Sequence, residues 1–166
     1  MAGAAPTERR VFYYDLGMPE CYLAAERVVG AGGGIPEFEP VLATALGVST
    51  GEPDRDVTER RALELGIQPL RWPERWPPDT RLAMLAATYA KRIGRAVAFS
   101  LAAFRQAYAG GRDLGDVDTI LIAGAACEMH PAALLKGIEL RATVRALDEA
   151  VERARRDGVL RLPAVV

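Results

Sequence analysis

Histidine, cysteine and lysine are all scarce in this chain of 166 residues, and each scarcity removes a class of function. The single histidine, His130, supports neither a histidine metal cluster nor a Ser-His-Asp triad. Cys21 and Cys127 lie far apart and form neither a C-x-x-C pair nor a disulfide framework, which fits two thiols in a reducing cytoplasm. Lysine occurs only at Lys91 and Lys136, and the formal net charge is −1. Phosphate neutralisation needs a basic excess, and base stacking needs more aromatics than 7%, so no nucleic-acid partner is expected. No apolar run approaches the roughly 18 residues of a membrane span. The run Val11 to Leu16 is too short for a signal-peptide core.

What remains is a globular composition, 50% hydrophobic and 26% charged, sufficient for one domain with a real core. Val11 to Leu16 is rich in β-branched and aromatic residues and stops at Gly17, which predicts a strand. Pro19 and Glu20 suit a first helical turn, and Leu23, Ala24, Val28 and Val29 supply an apolar face. A second strand is expected within Glu37 to Ala45, where Pro36 and Pro40 point to an edge position or a late start. Asp56 or Thr58 starts a short helix that Gly66 stops. Prolines 69, 73, 77 and 78 then stiffen a connector carrying Trp72 and Trp76.

From Asp79 the apolar spacing is helical. Leu82, Leu85, Tyr89 and Ile93 form one stripe, and Val97, Leu101, Phe104 and Tyr108 another after Gly94. Further helices are expected from Asp116, from His130-Pro131, and from about Glu139 to Arg156. Val159 to Val166 returns to strand character. The order is β-α-β, a helical block, then β, with the first two strands parallel.

Few residues carry chemistry. A helix start behind a first strand presents free N–H groups and the positive end of the macrodipole, a setting that stabilises thiolates. Met18 holds that position and is no nucleophile; Cys21 lies about one turn further in and reads chiefly as packing. Cys127 reads as core and His130 as a helix cap. Gly30 to Gly34 ends a helix instead of opening one, so it reads as a connection and not a phosphate loop. Trp72 and Trp76 are expected to dock on the core, and Arg153, Arg155 and Arg156 to complement the end of their helix.

The segment YYDLGMPECYLAA, Tyr13 to Ala25, resembles the active-site strand and helix of the DsbA-like branch of the thioredoxin superfamily. It is most similar to 2-hydroxychromene-2-carboxylate isomerases and kappa-class glutathione transferases. Glu59 to Ala62 with Leu65-Gly66-Ile67, Arg71-Trp72-Pro73, Trp76 to Thr80, Ala103 to Tyr108 and Gly158 to Val166 resemble further family segments in the same order. The resemblance covers about residues 11 to 166.

It implies a thioredoxin-like α/β fold with an inserted all-helical lobe. Residues 11–47 and 157–166 would form the thioredoxin-like core, 56–156 the helical insertion and connector, and 1–10 a disordered tail. It also implies that family elements beyond Val166, which complete the sheet, are missing from this chain. By position, Met18 replaces the family's Ser or Cys, and Leu162-Pro163 matches its cis-proline element. Met18, Pro19, Leu162 and Pro163 are thus the candidate thiol-binding residues, with Met18 and, more weakly, Cys21 as candidate catalytic positions. Arg161 stands where the family has glycine, and its Asn after the second strand has no counterpart beyond the loop Val48 to Pro53. Glutathione or another low-molecular-weight thiol, a small organic substrate and no metal are implied. The expected function is a thiol-dependent isomerase, transferase or oxidoreductase with a degenerate site, possible as a homodimer. The alternative is a non-catalytic binding or scaffolding module that keeps only the fold.

Overall fold

The computed structural model describes residues 9–166. In chain order it contains β1 (Val11–Tyr14), α1 (Pro19–Gly30), β2 (Glu37–Pro40), α2 (Ala43–Leu46), α3 (Arg55–Glu64), α4 (Arg81–Arg92), α5 (Ala96–Tyr108), α6 (Val117–Ala126), α7 (Pro131–Glu139), α8 (Arg141–Arg156) and β3 (Ala164–Val165). The sheet runs β2-β1-β3, with β2 parallel and β3 antiparallel to β1.

β1 is central because it is hydrophobic on both faces. Phe12 and Tyr14 stack at 5.4 Å on one face and meet Phe38 of β2 and Phe104 of α5. Each buried ring contributes about 1.5–3 kcal/mol. Tyr13, on the other face, donates its hydroxyl to Asp157 at 2.6 Å. Tyr14 and Tyr108 keep their hydroxyls satisfied inside the core, on Ser100 at 2.5 Å and on the Leu16 carbonyl at 3.2 Å.

β2 lies at the sheet edge, as its prolines require, but it ends at Pro40 instead of starting after it. Ala43 to Leu46 forms one helical turn, closed by Gly47 at φ 82°, where strand had been expected. β3 is also shorter than the expected Val159 to Val166. Gly158, at φ 74°, turns the chain out of α8, and Pro163 has no N–H to offer a ladder. Pairing begins only at Ala164 and finishes with mutual backbone bonds between Val11 and Val166.

The cap of α3 is Asp54, which accepts from Val57 N at 3.0 Å, and not Asp56 or Thr58. Asp116 and His130 cap α6 and α7 as read from the sequence. Of the residues assigned to the tail, Arg9 pairs with Glu37 and Arg10 donates to the carbonyls of Gly33 and Gly34; residues 1–8 lie outside the described residues. Among the described residues, no helix is long and apolar enough to cross a membrane.

Candidate functional site

The start of α1 faces the loop before β3 across a groove of about 530 Å³. Met18, Pro19 and Glu20 form one wall, and Leu160, Arg161 and Leu162 form the opposite one. The chain arrives at this wall because Gly17 breaks β1. A Cβ on Gly17 would sit 2.4 Å from Thr80 Cγ2, so only glycine lets the α1 and α4 starts approach this closely. Pro19 occupies the first turn of α1, and the Met18 side chain makes no capping hydrogen bond. The thioether offers a soft, donor-free surface at the positive end of the helix. The Leu162–Pro163 peptide is cis.

The third wall is the loop Gly47 to Pro53, with Trp76 beside it. Arg155 of α8 donates to the Ala45 carbonyl at 2.6 Å and so braces α2, from which this loop departs. Asp15 fastens the same wall from beneath. Its carboxylate is buried and accepts from Gly17 N and Ala43 N, both at 2.8 Å, and from Thr80 Oγ1 at 3.5 Å. Burial pushes the Asp15 carboxyl above its ordinary range, against the three hydrogen bonds that favour the charged form.

The structure brings Met18, Pro19 and Leu162 to one groove. Pro163 lies just beyond Leu162 and lines a neighbouring groove. Cys21 joins neither. It is fully buried beneath the first turn of α1, and burial drives its thiol well above the ordinary value. A buried thiol supplies little thiolate, and this burial suits the packing reading of Cys21. Cys127, also buried, directs its Sγ at the carbonyls of Ala123 and Gly124.

The two tryptophans meet edge to face at 5.9 Å but differ in what else they touch. Trp72 packs edge-on to Tyr108, donates to Glu59 at 2.7 Å and carries Arg55 over its ring, whereas Trp76 reaches the groove. Sequence reasoning missed Asp15 and Arg155 as supports of the site; Trp76 packs against the core as expected and also lines the groove, the role weighed second for it. Asp15, at the end of an apolar strand, was the one legible signal. Arg153 pairs with Glu39, so two of the three arginines at the end of α8 are engaged internally. Among the described residues, no group of three or more His, Cys, Asp or Glu side chains could hold a metal ion.

No protein-family model matches the chain, and no curated protein does. Solved structures do match. 2-Hydroxychromene-2-carboxylate isomerase superposes with a TM-score of 0.80 at 17% identity, covering 95% of this chain and 84% of that one. A probable DsbA oxidoreductase from Streptomyces coelicolor gives 0.72 at 17%, covering 95% and 79%. The cytosolic disulfide reductase DsbM from Pseudomonas aeruginosa, in a structure with GSH, gives 0.65 at 16%, covering 94% and 84%. The fold is therefore the DsbA-like thioredoxin fold with a helical insertion.

Proposed function

We infer that the chain is a thiol-dependent enzyme of the DsbA-like group, an isomerase, transferase or oxidoreductase. It binds glutathione or another low-molecular-weight thiol in the groove between α1 and the Leu162-Pro163 loop. The observation that carries this reading is the convergence of Met18, Pro19 and Leu162 on one groove, although Pro19 and Leu162 lie 143 residues apart in the chain. Two of the structural neighbours agree with it: one is an isomerase, and another has GSH in its structure.

With no nucleophilic side chain at the helix start, the bound thiol supplies the sulfur. The α1 dipole favours its thiolate, and Leu162 and Met18 provide a soft apolar cradle for it. A small organic substrate completes the site, in a cytoplasmic protein that acts alone or as a homodimer. Dithiol exchange is outside this scheme, because Met18 cannot form a disulfide with Cys21.

The second reading, a binding or scaffolding module without catalysis, is favoured by the same Met18 and by the burial of Cys21. Calorimetric titration with glutathione and with other small thiols separates the two. Saturable binding that a Leu162→Arg substitution abolishes is the expected result. No heat with any thiol at millimolar concentration leaves the scaffold reading in place.

A further inference from the structure

A third groove, of about 490 Å³, lies between α1, α5 and the turn that follows α3. None of its lining residues comes from the sheet or from the segment after α8. Tyr22 of α1 stacks on Phe104 and Tyr108 of α5, both at 5.7 Å, and is only 2% exposed. Its hydroxyl has no hydrogen-bond partner among the described residues, unlike those of Tyr13, Tyr14 and Tyr108. Yet no side-chain oxygen or nitrogen of the described residues is both sealed from solvent and unpaired. The Tyr22 hydroxyl therefore opens into the groove that the residue lines. A tyrosine buried to this degree normally spends its hydroxyl on the protein, and here it is left for an occupant.

Glu26, one turn further along α1, is held by Arg105 of α5 through Nε at 2.7 Å and Nη2 at 2.9 Å. Burial and the Glu26 charge raise the Tyr22 hydroxyl above its ordinary value, with Arg105 acting against them. The hydroxyl thus stays a proton donor. Glu26 and Arg105 cancel in charge, which leaves Arg27 as the one unmatched charged group of the lining. Against Arg27 stand the C-terminal ends of α3, at Leu65, and of α5, at Ala109. Each helix end is worth about half a negative charge, so the sum lies near zero.

A near-neutral groove has no preference for a carboxylate, a phosphate or an ammonium group. What it offers is hydrogen bonds of both senses. Tyr22, Arg27 and the free Nη1 of Arg105 donate, Glu26 keeps lone pairs to accept, and the Gln68 amide does both. Leu65 and Ile67 add an apolar patch beside them.

We propose that this groove binds a neutral polyol, a monosaccharide in its ring form, with one hydroxyl on Tyr22 and a neighbouring pair on Arg105 and Glu26. Each sugar hydroxyl both donates and accepts, and two adjacent ones match a fixed donor set beside an acceptor. The C–H face of the ring lies on Leu65 and Ile67. The proposal does not rest on thiol binding, which occupies the groove at the start of α1.

The test titrates the methyl glycosides of glucose, galactose and mannose into the full chain and follows backbone amide shifts. At least one should give saturable shifts confined to residues 22–27, 65–68 and 105–109. Glucose 6-phosphate and glucuronate, the charged counterparts, should bind more weakly. Tyr22→Phe should weaken the glycoside by about tenfold, the loss of one hydrogen bond, and leave the melting temperature unchanged. The proposal is overturned if none of the three glycosides shifts these residues or if Tyr22→Phe binds like the parent. It is equally overturned if the charged sugars bind more tightly, or if Tyr22→Phe lowers the melting temperature, which would mean that the fold itself uses the hydroxyl. The glutathione titration is read separately, so each reading stands or falls on its own measurement.

Discussion

Oδ2 of Asp15 accepts the backbone N–H of Ala43 at 2.8 Å, across 28 residues of chain. Its other oxygen holds Gly17 N, so one buried carboxylate sets the spacing between the start of α1 and the turn of α2. Those two segments carry two walls of the groove.

Asparagine at this position turns an amide NH₂ toward one of the two N–H donors. Asp15→Asn should therefore cost about 1–3 kcal/mol, the penalty for a buried donor left unpaired. Burial raises the Asp15 carboxyl above its ordinary value of 3.8, so the folded chain holds its proton more tightly than the unfolded one. The resulting stability is present at acid pH and is lost as pH rises through the folded value. The advantage of the parent over Asp15→Asn should shrink as pH rises from 3.8 upward, and urea unfolding at several pH values measures it. A constant difference across that range would contradict the assignment.

Gly17 is required by space and not by backbone conformation. Gly17→Ala places a methyl group 2.4 Å from Thr80 Cγ2, and relieving that overlap should cost about 1–3 kcal/mol. Thr80→Ser deletes the opposing methyl while keeping the hydroxyl that reaches Asp15. The double variant should recover most of the loss in thermal melts. Additive losses would show that the clash is relieved elsewhere.

Native Cys21 should resist iodoacetamide at pH 8 and react once the chain is unfolded, because burial keeps the thiol protonated and covered. The parent protein should show no dithiol-driven reduction of insulin beyond that of Cys21→Ala. Turnover above this control would return Cys21 to the catalytic set.

Met18→Cys creates the sequence Cys-Pro-Glu-Cys at the α1 start. A thiol there feels the helix dipole and should titrate below the ordinary cysteine value of about 8.5. Thiolate absorbance against pH follows this, and insulin reduction should appear in the variant while it is absent from the parent. If the new thiol titrates at or above the ordinary value, the α1 start does not favour an anion.

Every helix but the single turn α2, and most of their boundaries, were legible in the sequence, because each amphipathic stripe and each Gly, Pro or Asp acts within about one turn. The central strand was legible for a related reason. Val11 to Tyr14 is apolar on both faces, which suits only a strand covered on both sides. The lengths of β2 and β3 were not legible, since pairing ends where a partner runs out, and the partner lies far away in the chain. The pairing of Glu39 with Lys91 of α4 and Arg153 of α8 was hidden in the same way.

By itself the sequence determined which groups the site lacks. Met18 stands at the helix start without a nucleophile, and no arrangement of the chain changes that side chain's chemistry. Only the tertiary structure decided the burial of Cys21, the brace from Arg155 to α2, and the meeting of Met18 with Leu162 in one groove. Burial and convergence depend on packing between elements that are distant in the chain. A local pattern of residues carries the identity of a group, but not what lies against it.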